Sequence, residues 1–245
     1  MNLRAWIYTA GQLDEALKCS EFEAVYVPLR LAEKAADRAE KIILLPLEYL
    51  ADCEEKTEKE LLRLKALGFD KALAHTSGHI ELLSRNGFKV CGGNRLNCTN
   101  SESVRFFAGC GLTDIIVSPE ITIKRMNSLD MAVPIGFLAY GYLPMMLTRR
   151  CPINDGKPCG KLRCGRQITD RKGNKLDVIC SDNTVEILNS DVLMLSGRLG
   201  EFHASFAVLR FTTEKEISGI VRSYSLNEKP DIRKYTTGLY YRGVE

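Results

Sequence analysis

The chain has 245 residues, long for one ordinary domain and short for two at a usual ~100–200 residues each, so one large architecture over residues 1–245 is favoured. Hydrophobic residues make up 45% and charged residues 27%, with 19 Gly and 8 Pro, which excludes a disordered or collagen-like chain. The formal net charge of +3 is too small to mark a nucleic-acid binder by itself. No apolar run approaches the roughly 18 residues of a membrane helix, and the first residues carry no cleavage-site pattern, so the sequence predicts a cytoplasmic protein with no membrane partner.

Short apolar runs rich in Val, Ile, Leu or Ala alternate with amphipathic stretches, which is the pattern of βα units. Strands are predicted at 3–9, 24–28, 41–47, 71–74, 88–92 and 114–118, followed by helices at 12–18, 31–38, 54–67, 80–85, 101–108 and 120–127. A seventh strand at 133–139 leads into no ordinary helix. A Cys-, Gly- and Lys/Arg-rich stretch then fills about 148–190, before an eighth strand at 204–211 and a helix at 213–224. Eight such units predict an α/β fold of the TIM-like (β/α)8 barrel type, with a Cys-rich insertion between strands seven and eight; a doubly wound open sheet is the competitor.

In a barrel, chemistry gathers just past the C-terminal ends of the strands. That position selects Glu48, His75, His79, Asn94, Arg95, Asn97, Glu120, Tyr140 and Tyr142. For any one of these the plain alternative is a helix cap or a loop hydrogen bond. His75 and His79 stand four apart as in a zinc protease helix, but the Glu of that motif is missing and Gly78 weakens the helix. No Gly-x-Ser-x-Gly elbow is present.

Four of the nine cysteines, Cys151, Cys159, Cys164 and Cys180, fall within 30 residues. Their surroundings hold little apolar material, so a metal centre is expected to order them. Intervals of seven, four and fifteen residues do not make paired zinc knuckles. They tilt the expectation toward an iron–sulfur cluster of the 4Fe-4S kind, with zinc or free buried thiols as alternatives. Cys19, Cys53, Cys91, Cys98 and Cys110 read as structural.

Charge concentrates in the same stretch. Residues 149–180 hold nine basic and three acidic side chains, net +6, which leaves −3 for the rest of the chain. Arg149, Arg150, Arg171 and Lys172 exceed what thiolate charge needs, and that surplus suits the phosphates of RNA or a small polyanion.

Several ordered motifs resemble a known family: Ser118-Pro119-Glu120, Gly141-Tyr142-Leu143-Pro144-Met145-Met146 leading to Cys151-Pro152, Thr169-Asp170-Arg171-Lys172-Gly173, Cys180, Ile187-Leu188-Asn189-Ser190, and Tyr235-Thr236-Thr237-Gly238 with Arg242-Gly243. Over residues 118–245 the chain is similar to peptidase family U32, the collagenase-like proteins. The resemblance implies a barrel, a four-cysteine iron–sulfur site made by Cys151, Cys159, Cys164 and Cys180, and oxygen-independent hydroxylation. Its substrates would be tRNA or rRNA bases or a small aromatic precursor, and related members often work as paired subunits. Protease activity, as the family is named, and a non-catalytic RNA-binding or partner role are the alternatives. Glu120 is expected as an acid or base and Tyr142 as a stacking residue, with a helix-start carboxylate and loop packing as their plain readings. The tail at 235–243, aromatic and basic, would either stack bases or pack on the barrel.

Overall fold

The computed structural model describes residues 1–157, 162–182, 184–228 and 234–242, with the backbone alone at 163–165. Six βα units open the chain: β1 (Asn2–Trp6) and α1 (Ala10–Lys18), β2 (Phe22–Pro28) and α2 (Leu29–Ala32), β3 (Ile42–Leu45) and α3 (Glu54–Ala66), β4 (Lys71–Ala74) and α4 (Ser77–Arg85), β5 (Lys89–Gly92) and α5 (Ser101–Gly109), β6 (Leu112–Ile116) and α6 (Ile123–Met126). Then come β7 (Ile135–Gly141), four strands of a separate sheet, β8 (Pro144–Thr148), β9 (Arg163–Thr169), β10 (Lys175–Ser181) and β11 (Thr184–Leu188), and finally β12 (Leu193–Met194), β13 (Phe206–Arg210) and α7 (Ser218–Ser225). Strands β1 to β7 pair in succession and in parallel, and β13 pairs with both β7 and β1. That closes an eight-stranded parallel barrel, as the alternation predicts.

Local chemistry sets the helix starts. Thr9 and Gln12 form a reciprocal capping box on α1, and Thr76, Asn100 and Thr122 cap α4, α5 and α6 through their side chains. The helix expected at 31–38 is different: α2 runs for one turn into a 3-10 stretch, Glu33–Lys41, interrupted at Ala35 and Arg38. Pro28 gives it no side-chain cap, and small Ala32, Ala35 and Ala39 are all buried, so the segment lies close on the barrel instead of standing off as a regular helix.

Arg4 crosses the barrel interior. Its guanidinium lies 3.5 Å above the Phe206 ring, 2.8 Å from Asp114 Oδ2 and 3.1 Å from the Tyr26 hydroxyl. The tail packs on the outside: Tyr240 is buried against Phe137 and Phe202 and donates from its hydroxyl to the Leu138 carbonyl. Packing is therefore the role of Tyr240, while Tyr235 and Tyr241 remain exposed.

The insertion is a four-stranded antiparallel sheet in the order β8, β11, β10, β9, lying in sequence between β7 and β13. Contrary to the expectation from its composition, it has a small core of its own, with Cys151, Val178, Cys180, Val185 and Ile187 buried together. The apolar residues come from β10 and β11, at the C-terminal edge of the Cys-rich stretch. Arg149 and Arg150 follow β8 beside the end of β10, whereas Arg171 and Lys172 sit in the turn joining β9 and β10, so the register puts the two pairs at opposite ends of the sheet. The cationic surplus is split, not a single patch. Among the described residues no helix is long and apolar enough to cross a membrane.

Candidate functional site at the barrel mouth

The C-terminal ends of the barrel strands converge on a buried polar chain. Arg210, the last residue of β13, donates from Nη2 to Glu186 Oε2 and to the Tyr8 hydroxyl, each at 2.5 Å, and from Nη1 to the Tyr142 carbonyl at 3.0 Å. Glu186 belongs to β11, so the insertion supplies the carboxylate between two barrel arginines. Its other oxygen lies 3.3 Å from Arg95 Nη2, and Arg95 Nη1 lies 3.1 Å from Glu48 Oε2. Glu48 Oε1 then approaches His75 Nε2 at 3.6 Å, beyond hydrogen-bond reach.

Strand alternation explains how Glu186 gets there. Val185 and Ile187 point into the insertion core, so Glu186 between them must face the other way, toward the barrel. Gly141 makes the close packing of β7 possible, since it has φ +119° and a Cβ there would stand 2.1 Å from the Arg210 carbonyl. Gly93 does the same for His75, because a Cβ would stand 2.2 Å from Nδ1. On its other side His75 stacks on Trp6, with ring centroids 5.5 Å apart and planes at 25°.

Burial tunes these groups. It pushes the Glu48 carboxyl up to about 7, against the opposing pull of Arg95. Burial, reinforced by Arg95, holds the His75 ring well below its ordinary value, so it is neutral. Burial also works against charge on Arg210, but Glu186 and Tyr8 outweigh it and the guanidinium is firmly charged. His79 accepts from the His75 backbone N–H at Nδ1 and so donates from Nε2 to the Leu47 carbonyl, 2.9 Å away. Both its nitrogens are engaged by backbone, and the paired-histidine ligand geometry of a zinc protease does not form.

A cavity of about 30 Å3 lies in the mouth, lined by Trp6, Tyr8, Leu47, Glu48, Asp182 and Glu186 among others. Around the mouth, Arg95 Nη1 meets Glu48 as an ion pair, while Trp6 Nε1 and both ring nitrogens of His75 are buried without a hydrogen bond. Such atoms are costly unless a ligand or solvent reaches them. The arrangement can hold a small polar group, offers Glu48 as a group that gains or loses a proton near neutral pH, and keeps bulk water out.

Of the strand-end candidates, the structure brings Glu48, His75 and Arg95 into this cluster. It misses Trp6, Tyr8 and Arg210, although Tyr8 and Arg210 occupy the same strand-end positions on the first and eighth strands. Glu186 has no comparable signal, because only the register of the insertion turns it inward. Glu120 is exposed in the turn after β6, where its backbone N–H donates to Ser118 Oγ, and the structure does not bring it to the cluster. Tyr142 reaches the cluster through its carbonyl, and its side chain borders a polar pocket with Gln167, Asn174 and Lys175.

For a four-thiolate centre, the donor set is partly in view. Cys151 and Cys180 are both buried in the insertion core, near the start of β9 where Cys164 lies. Cys159 is outside the described residues, and the Cys164 side chain likewise. Cys151 and Cys180 share one small core without forming a disulfide, a donor chemistry that fits a soft-ligand metal or cluster, although among the described residues no group of three or more possible ligands comes together. Arg149 pairs with Asp52 at 2.6 Å, Arg150 is exposed, and Arg171 and Lys172 are exposed on a turn whose Asp170 carboxylate accepts from the Lys172 and Asn174 N–H groups.

A sequence profile described as peptidase family U32 matches residues 28–155. The match covers the barrel from β2 to the start of the insertion, and overlaps the quoted motifs from Ser118 onward. The solved structure of the U32 peptidase Mk0906 is similar in fold, with TM-score 0.51, 11% identity, and coverage of 87% of this chain and 94% of that one. No curated protein matches the chain.

Proposed function

This chain belongs to peptidase family U32, and on that premise we propose that it is an iron–sulfur-dependent, oxygen-independent hydroxylase, or a subunit of one, acting on an RNA base or a small aromatic molecule with a second small molecule as the donor of the hydroxyl group. The observation that carries the reading is the β10–β11 hairpin, which bears Cys180 on one face and Glu186 on the other. Cys151, Cys159, Cys164 and Cys180 would hold the cluster, of the 4Fe-4S type, with zinc as the alternative occupant. Bound there, such a cluster would supply single electrons.

The remaining work falls to residues of the chain itself. Glu48, ionising near neutral pH, and neutral His75 would take up and return a proton at the substrate. Arg95 and Trp6 would donate to its oxygen atoms, and the hairpin would exclude water. Arg149 and Arg150 stand at the cysteine end of the sheet, suited to offset thiolate charge. Arg171 and Lys172, at the far end, suit contact with RNA phosphates or with a related family member in a hetero-oligomer. In this reading Glu120 has no proton to move, and Tyr142 contributes its carbonyl to Arg210.

Anaerobic purification with iron, sulfide and zinc analysis tests the proposal on the wild type and on Cys151→Ala, Cys159→Ala, Cys164→Ala and Cys180→Ala. Stoichiometric iron and sulfide, lost in each variant, is the expected result, followed by nucleoside profiling of RNA from cells lacking the chain. Zinc alone, or no metal with unchanged folding in every variant, would sink the redox chemistry.

The peptidase reading is the second, favoured by the family name and by the Glu48–His75 acid–base pair. It predicts peptide hydrolysis that Glu48→Gln abolishes with or without iron. Low activity that rises on adding a related family member would instead identify a partner subunit.

A further inference from the structure

A groove of about 920 Å3 runs between the segment after β2 and the first turns of α3, with Arg30, Leu47, Ala51, Cys53 and Asp182 in its walls. Two of these, Leu47 and Asp182, also line the buried mouth cavity. The two spaces are therefore neighbours, divided by one residue from the loop after β3 and one from the β10–β11 turn. Arg30 fixes Asp182 in that place: its Nε lies 2.9 Å from Oδ1, and its Nη2 donates to the Tyr8 carbonyl at 2.8 Å. With side chains 41% and 24% exposed, this ion pair is of the weak, solvent-screened kind that opens readily. Behind it are the unpartnered Trp6 Nε1 and the two bare nitrogens of His75, both residues being 4% exposed.

We propose that this groove is the access route to the barrel mouth, that the Arg30–Asp182 pair is its inner gate, and that it admits a small free molecule, not a strand of RNA. The proposal rests on the mouth being the reaction site and decides which of the two substrate classes enters it. Charge favours the small molecule. The groove walls carry four basic and five acidic side chains, and Arg63 is already paired with Glu60 and Glu33, as Arg30 is with Asp182. A phosphodiester chain needs a row of available cations, and this lining does not offer one. At the inner end the requirement is different. Trp6 Nε1 is an unpartnered donor, so the matching ligand carries an acceptor oxygen and is compact enough to pass between Leu47 and Asp182.

Trp6 is the one tryptophan of the chain, so its fluorescence reports on the mouth directly. In the full-length protein, acrylamide should quench Trp6 weakly, and Asp182→Asn should raise the quenching constant severalfold. Adding Ala51→Phe, which narrows the groove, should reverse the gain. Arg105→Gln, which breaks the ion pair between Arg105 of α5 and Asp130 after α6, should change nothing. Equal quenching in wild type and Asp182→Asn overturns the gate, and a gain that Ala51→Phe leaves intact overturns the groove as the route. A short single-stranded RNA that shields Trp6 in the Asp182→Asn protein overturns the small-molecule assignment; failure to shield supports it. The readout needs no turnover, so a gate that behaves as described in a protein that binds no iron would reject the hydroxylase reading alone.

Discussion

Cys180 and Glu186 point to opposite faces of one β-hairpin. Cys180 pairs across the ladder with Val185 and shares the insertion core with it, while Glu186, the next residue along β11, reaches Arg95 and Arg210 in the barrel. A single thickness of backbone thus separates the cysteine cluster from the barrel mouth, and the insertion and the barrel are joined by buried charge.

That joint should be costly to cut. Glu186→Ala leaves buried Arg210 without its carboxylate and part-buried Arg95 with Glu48 alone, and removing one partner of a buried pair costs about 3–5 kcal/mol. Urea unfolding would measure it. A loss below ~1 kcal/mol, the size expected of an exposed pair, would mean that water already reaches these arginines.

The pH dependence of stability should carry the mark of Glu48. Its carboxyl is raised to about 7 from an ordinary 4.5, so between those values the folded chain keeps a proton that the unfolded chain has released. Stability from this group therefore falls as pH rises from about 4.5 to about 7 and is flat above. His75 acts in the other direction: it is neutral when folded, so stability falls as pH drops below its ordinary 6.5. Glu48→Gln removes the first effect only. Relative to wild type, the variant should gain about 3 kcal/mol between acidic and mildly alkaline buffer, read from urea midpoints. A parallel pH profile in the two proteins would place Glu48 in contact with solvent.

Gly93→Ala tests the packing around His75. The added methyl would press on Nδ1 and displace the ring from Trp6. Overpacking of this kind costs about 1–3 kcal/mol, and the near-ultraviolet dichroism of the single tryptophan should change with it. An unchanged spectrum would show that the ring can turn aside freely.

The C-terminal tail should prove to be part of the barrel's stability. Tyr240→Ala removes a fully buried ring and should cost about 3–5 kcal/mol, whereas Tyr240→Phe loses one hydrogen bond to Leu138 and about 1 kcal/mol. If Tyr240→Ala melts like the wild type, the tail is only loosely docked.

The order of the eight barrel strands is set locally and was legible in the chain. Alternating apolar runs and capped amphipathic stretches fix each βα unit within a few residues, and closing the barrel needs only their number. The same logic names Glu48, His75 and Arg95, because a strand end is a position that sequence periodicity reveals. The cysteine spacing likewise sets 151–180 apart from the βα units around it. What the tertiary structure alone decides is which residues meet. Glu186 joins the mouth through the antiparallel register of β11 against β8 and β10, and Tyr8, Trp6 and Arg210 join it because β13 closes onto β1, a contact between residues about 200 positions apart. The split of Arg149 and Arg150 from Arg171 and Lys172 has the same origin, since strand reversal sends neighbours in sequence to opposite ends of a sheet. Periodicity records which face a residue takes in its own element; it carries no record of the partner across the space that folding closes.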